Sequence, residues 1–466
     1  MLFSSSVFLA VFLPCVLAVY HGLLRGHRRA QNLFLLLSSL FFYWWGEPKF
    51  VLVMVLSIVM NYLFGLWTAA FRARGRKLTA PIACTVAANL AILFVFKYLD
   101  FTVRNLNLLG FDLTPPGILL PIGISFFTFQ AMSYVFDIAR GCGSVQKNPL
   151  NVGLYIALFP QLVAGPIVKY ETVAAQILHR KESWDDFAEG VRRFLIGLAK
   201  KVLLANQLAV VADAAIGADA PTAAFAWLGA VCDTLQIYYD FSGYSDRAIG
   251  LGRMFGFRFM ENFNWPYASK SVTEFWRRWH ISLSTWFRDY VYFPLGGSRV
   301  EHRWQLLRNL FVVWLLTGVW HGANWTFIAW GMLYFVLLVL EKLCGLGRRW
   351  PAWAGHVYTL LMVNFAWVLF RAADIGAAGR YLLAMFGANG WWEGLAAFWS
   401  REQLVFLAAG LLFAAPFAPW LRQKVARSRL HALWNGLYVA ALLALFVVVV
   451  VFLAKGTYNP FIYFNF

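Results

Sequence analysis

Long stretches free of Asp, Glu, Lys and Arg recur along the chain. They cover residues 2–20, 30–46, 50–71, 78–96, 113–136, 148–168, 309–340, 350–370, 404–421 and 430–454, with shorter apolar runs at 202–212 and 220–232. A helix crossing a bilayer needs roughly 20 apolar residues, so the pattern predicts about ten to twelve helices, several of them too short to cross. At a rise of roughly 1.5 Å per residue, the run 309–340 is too long for one straight crossing. Gly318 and Gly322 bracket His321 within it, which predicts a break or two half-helices there. Irregular backbone at membrane depth survives only where protein or a water-filled cavity covers it, so the break also points to a cavity beside His321.

Residues 240–300 follow a different rule. Charged and aromatic residues are interleaved, and no apolar stretch is long enough to cross. From Val272 onward, Phe275, Trp276, Trp279, Leu283, Trp286 and Phe287 fall on one helical face, while Arg277, Arg278, Ser282, Thr285 and Arg288 populate the other side. The spacing predicts an amphipathic helix over 272–290, lying in or dipping into the membrane from the cytoplasmic side. The preceding ENFNWPY reads as a loop held at the interface.

Composition sharpens this picture. Of 466 residues, 61% are hydrophobic and only 13% charged, and the mean hydropathy is +0.62. These values exclude an ordinary soluble domain and fit an all-α polytopic membrane protein, one integral membrane unit over 1–466. The opening MLFSSSVFLAVFLPCVLAVY lacks a basic start and a small-residue cleavage site, so it reads as a retained first helix. The net charge of +18 is concentrated in short loops, RGHRR at 25–29, FRARGRK at 71–77 and RQKVARSR at 422–429. Such clustering is a topology signal rather than a nucleic-acid footprint. It places these loops in the cytoplasm and both termini, including the tail 456–466, on the extracytoplasmic side. The five cysteines are scattered and never spaced C-x-x-C, which gives neither a zinc site nor a disulfide framework.

The candidate chemistry centres on two histidines. A titratable side chain in an uncharged membrane run is expensive and is usually kept for function. His321 therefore reads either as a general base, which needs only an imidazole near the hydroxyl it deprotonates, or as an imidazole hydrogen-bonded between helices. Asn324, placed one turn away, is a candidate for orienting a group or stabilising developing charge. His280 sits at the edge of the apolar face, one turn after Trp276, and is either packed there or a second member of the site. Arg277, Arg278 and Arg288 form a cationic patch suited equally to the phosphates of a cytoplasmic donor or to lipid headgroups. No metal site is expected, because His356 and His431 are isolated and no carboxylate accompanies His321.

The segments FSGYSDRAIGLGRMFGF, ENFNWPY, EFWRRWHISLSTWFRDYVYFPLGG and GVWHGANWTFIAWG, in this order, resemble the membrane-bound O-acyltransferase (MBOAT) superfamily. The nearest branch is the bacterial alginate O-acetylation group, which includes peptidoglycan and cellulose O-acetylation relatives. MLFSSSVFLAVFLP, LPIGISFFTFQAMSYVFDIARG and LFPQLVAGPIVKY extend the resemblance over nearly the whole chain. It implies a ring of membrane helices around a thinned centre, with funnels from both faces meeting at the histidine. His321 matches the catalytic histidine and His280 the second histidine of the amphipathic stretch. Trp276, beside the arginines, is a further candidate for donor binding read from the sequence itself. The implied donor is an acyl thioester, acetyl-CoA for this branch, with no permanently bound cofactor. The acyl group is passed outward across the bacterial inner membrane, and a separate extracytoplasmic SGNH-type esterase-like partner completes transfer to a polysaccharide such as alginate.

The chain ends in NPFIYFNF. The tail reads as an interfacial aromatic anchor, and it also resembles the F-x-Y-x-x-F terminus of the small protein that accompanies the D-alanyl-transferring relatives. Phe461, Tyr463 and Phe466 match that spacing, which implies Tyr463 as an acyl relay activated by His321. Three other readings stay open: a D-alanyl transferase to teichoic acid, a transporter or flippase using both histidines in its path, and a non-catalytic scaffold.

Overall fold

The computed structural model describes residues 3–392, 400–427 and 431–456. All the named elements among them are helices. Val51–Ala73, Thr79–Leu108, Trp184–Ile216, Trp325–Leu343, Ala352–Arg371 and Leu433–Ala454 are each long and apolar enough to cross a membrane, and the pair Arg401–Ala414 and Phe417–Ala426, bent by 67°, supplies a seventh crossing if it acts as one. Other apolar runs fold into shorter pieces. Residues 148–168 give a nine-residue helix, Pro149–Ala157, that stops before Pro160. Residues 113–136 begin as irregular chain and become helical only at Ile124, after Gly123 has turned the backbone at φ +76°.

Contacts divide the chain into two compact units, Met1–Phe194 with Ser245–Met260, and Leu195–Tyr244 with Glu261–Phe466. In the first unit, polar pairs join the apolar helices. The side-chain amides of Asn61 and Asn89 exchange two hydrogen bonds, at 3.1 and 3.0 Å, linking Val51–Ala73 to Thr79–Leu93. A Cβ on Gly65 would overlap the Tyr134 ring, so glycine permits the close approach to helix Ile124–Arg140. Arg28 grips Glu182 with both guanidinium nitrogens, at 2.5 and 2.9 Å, and Tyr20 donates to the same carboxylate at 2.5 Å. Burial alone would raise the Glu182 carboxyl, but the Arg28 and Tyr20 hydrogen bonds outweigh it and hold it at about 2.

The second unit carries both candidate histidines. Arg303–His321 and Trp325–Leu343 form an antiparallel hairpin, in which the Phe311 and Phe335 rings meet at 5.6 Å and Trp314 meets Tyr334 at 5.4 Å. Glycine sets the crossing. A Cβ on Gly318 would lie 2.6 Å from the Phe327 carbonyl oxygen, and one on Gly331 would lie 2.5 Å from that of Trp314. The predicted break in the run 309–340 is therefore a tight turn between two complete arms. Residues 240–254 continue the helix Ala223–Met254. The expected single helix 272–290 is two short helices, Val272–Arg278 and Ile281–Phe287, with a kink at Trp279 and His280.

Candidate active site

The kink is built by the chain that precedes it. Ser271 caps the first short helix by accepting from Glu274 N. His280 then takes a left-handed conformation at φ 43°, and Trp265 in the preceding loop does so at φ 42°. Among the described residues these are the only non-glycine positions with positive φ, and such strain persists only where surrounding structure imposes it. Here the imposing group is Asn262. Its Oδ1 accepts from Ser282 N at 3.1 Å and Ser282 Oγ at 2.8 Å, and its carbonyl oxygen accepts from Ile281 N at 3.0 Å. His280 Nδ1 stands 3.2 Å from the same Oδ1. An amide oxygen only accepts, so Nδ1 carries the proton and Nε2 is the basic nitrogen. Asn264 N donates to the Arg278 carbonyl, closing the end of the first helix. ENFNWPY thus splints the kink, with Asn262 and Pro266 buried and Glu261 and Asn264 exposed.

His321 is the last residue of the first hairpin arm and is 4% exposed. Its imidazole meets Trp330 of the second arm edge-on at 4.8 Å and Phe370 at 5.3 Å. Trp320 touches both histidines, with ring centroids 4.9 Å from His321 and 6.0 Å from His280. Trp276 reaches the same cluster through Trp330, at 5.6 Å. The structure therefore gathers His321, His280 and Trp276 into one aromatic-walled cluster.

The other predicted residues are placed differently. Beyond His321 the backbone is extended at Gly322 instead of helical, so Asn324 is not one turn on. It caps the second arm, accepting from Thr326 N at 3.2 Å and donating to the Ala373 carbonyl at 2.7 Å. Arg278 pairs with Glu274 at 2.7 Å and Arg288 with Asp289 at 2.8 Å, while Arg277 is exposed. Burial would raise the Glu274 carboxyl, but the Lys270 N–H and the Arg278 guanidinium outweigh it and keep it below its ordinary value. Of the expected cationic patch, Arg277 alone stands outside these pairs. Tyr463 lies outside the described residues. Among the described residues, no three His, Cys, Asp or Glu side chains gather as metal ligands would.

Sequence reasoning missed Asn262, Trp320, Trp330, Phe370 and Glu341. Glu341, near the end of the second arm, accepts from Val272 N at 2.7 Å, Thr273 N at 2.8 Å and Thr273 Oγ1 at 2.6 Å. It ties the start of the kinked pair to the hairpin that carries His321. One signal was available: Glu341 is the charge that ends the uncharged run.

Comparison with known proteins now decides the family. A sequence model of the membrane-bound O-acyltransferase family matches residues 40–375, which include both histidines. The chain belongs to that family. It is 45% identical to a probable alginate O-acetylase of Pseudomonas aeruginosa over 84% of this chain and 76% of that protein. It is 42% identical to the Pseudomonas putida probable alginate O-acetylase over the full length of both. A peptidoglycan O-acetyltransferase of Helicobacter pylori is 35% identical, over 84% of this chain and 80% of that protein. This MBOAT member is thus a multi-pass membrane O-acetyltransferase of the alginate O-acetylation branch.

Proposed function

We propose that this enzyme takes an acetyl group from acetyl-CoA on the cytoplasmic side and passes it across the membrane for O-acetylation of an extracytoplasmic polysaccharide, an alginate-like polymer, with His321 as general base. The observation that carries this reading is the burial of His321 at the tip of a glycine-packed hairpin, in one aromatic cluster with His280. Such a place holds a base in a fixed position and keeps bulk water from the thioester. The hydroxyl loses its proton to His321 as it attacks the acyl carbonyl, and the departing thiolate takes the proton back. His280, with Nδ1 fixed by Asn262, holds the kink and presents Nε2 to the site. The exposed Arg277 is the group available to a phosphate of the donor. Tyr463 is the acyl relay on the outer face, and an SGNH-type partner receives the acetyl group there. The basic loops face the cytoplasm of a bacterium and the protein lies in its inner membrane.

Sealed inverted vesicles given [14C]acetyl-CoA on their outer, originally cytoplasmic, face test this. The reading expects label to reach a lumenal partner and polymer, with His321→Ala blocking it. Label confined to the outer face contradicts the vectorial part. Full transfer to polymer in Tyr463→Phe ends the relay.

A further inference from the structure

Three hydrogen-bond donors in the aromatic cluster that reaches His321 through Trp330 have no acceptor among the described residues: Trp276 Nε1, Trp330 Nε1 and the Tyr334 hydroxyl. Trp330 and Tyr334 are fully buried and Trp276 is 8% exposed. Buried Trp and Tyr normally find a partner for their N–H or O–H, and an orphan in a native core asks for an explanation. Here three orphans share one cluster. The ring centroids of Trp276 and Tyr334 are 4.9 Å apart, those of Trp330 and Tyr334 5.2 Å, and Trp330 touches His321 at 4.8 Å. An indole N–H can only donate, so the matching group must be an acceptor. Carbonyl oxygens and oxyanions have that character.

We infer that Trp276, Trp330 and Tyr334 form a donor cluster that receives the acyl carbonyl oxygen of the thioester and stabilises the oxyanion formed during transfer. This rests on the assignment of His321 as general base. As the acceptor hydroxyl adds, its oxygen forms a bond to the acyl carbon, its proton moves to His321, and the carbonyl π pair moves onto oxygen. The donors hold that charge in a site walled from water, where such bonds count most. On collapse the C=O bond re-forms, the C–S bond breaks, and the thiolate takes the proton from His321. Ester and free thiol are the products, so atoms and charge balance.

The test uses the purified full-length protein with two probes, acetyl-CoA and the unreactive ketone analogue S-acetonyl-CoA carrying a 13C carbonyl. Tyr334→Phe and Trp330→Phe are expected to lower kcat for CoA release by about 100-fold each, with KM and thermal midpoint nearly unchanged. The bound 13C=O stretch is expected to be lower in wild type than in either variant. Wild-type kcat in both variants, with an unmoved carbonyl band, overturns the inference and leaves the donors as edge-to-face packing. If the variants fail to fold, the wild-type spectrum still decides: a band no lower than in an aprotic solvent overturns it. Turnover retained in His321→Ala defeats the base assignment instead, whereas loss there with full activity in Tyr334→Phe defeats only the donor cluster.

Discussion

His280 is a residue whose backbone and side chain do separate jobs, and substitution can part them. Asparagine tolerates the left-handed conformation far better than a branched residue and can still bond Asn262. His280→Asn is therefore expected to keep the wild-type melting temperature and lose less CoA release than His321→Ala. Asn262→Leu removes the acceptor for Ser282 N and Oγ and is expected to destabilise by about 1–3 kcal/mol, read as a lower melting temperature. Glu182 gives a pH prediction. Its folded value of about 2 lies below the ordinary 4.5, so its contribution is present above the ordinary value and is lost as pH falls toward 2. Thermal midpoints measured from pH 6 down to 3 should fall less in Glu182→Gln than in wild type. The positions of the apolar face were legible, because Phe275, Trp276, Trp279, Leu283, Trp286 and Phe287 are all buried. The role of Asn262 was not, since it acts on a residue 18 positions away.

At the scale of elements, the hairpin and the kinked pair are held by different means. The hairpin depends on absent side chains. Gly318→Val places a branched side chain against the Phe327 carbonyl and is expected to abolish the folded, monodisperse peak in gel filtration. The kinked pair depends on Glu341, whose carboxylate takes two backbone N–H groups and one hydroxyl. Glu341→Ala leaves those donors unsatisfied, at a cost of about 1–3 kcal/mol, and should depress both melting temperature and CoA release. Glu341→Gln, with one acceptor oxygen left, should fall between. The turn was legible because Gly318 and Gly322 interrupt an over-long apolar run. The split of the amphipathic segment was not, because periodicity continues through His280: the same residues face the core in one helix or two. Asn324 was misplaced for the same reason, as its distance from His321 was counted along a helix that ends there.

For the whole molecule, the recurrent apolar runs disclosed a multi-pass chain in which several apolar helices are too short to cross and instead fill the protein interior, as in Ile124–Arg140 with its long roster of buried residues. The orientation proposed above rests on the basic loops. In a cysteine-free background, Arg76→Cys should resist an impermeant maleimide in spheroplasts and react after lysis; labelling in intact spheroplasts inverts the topology. The central claim is acetyl transfer that depends on His321. It is tested most directly by the rate of CoA release from acetyl-CoA by purified wild type and His321→Ala, each with the polysaccharide acceptor and an SGNH-type partner present. The account predicts a fall of at least about 100-fold in a variant with unchanged gel-filtration profile and melting temperature. A His321→Ala protein that releases CoA at the wild-type rate would contradict it.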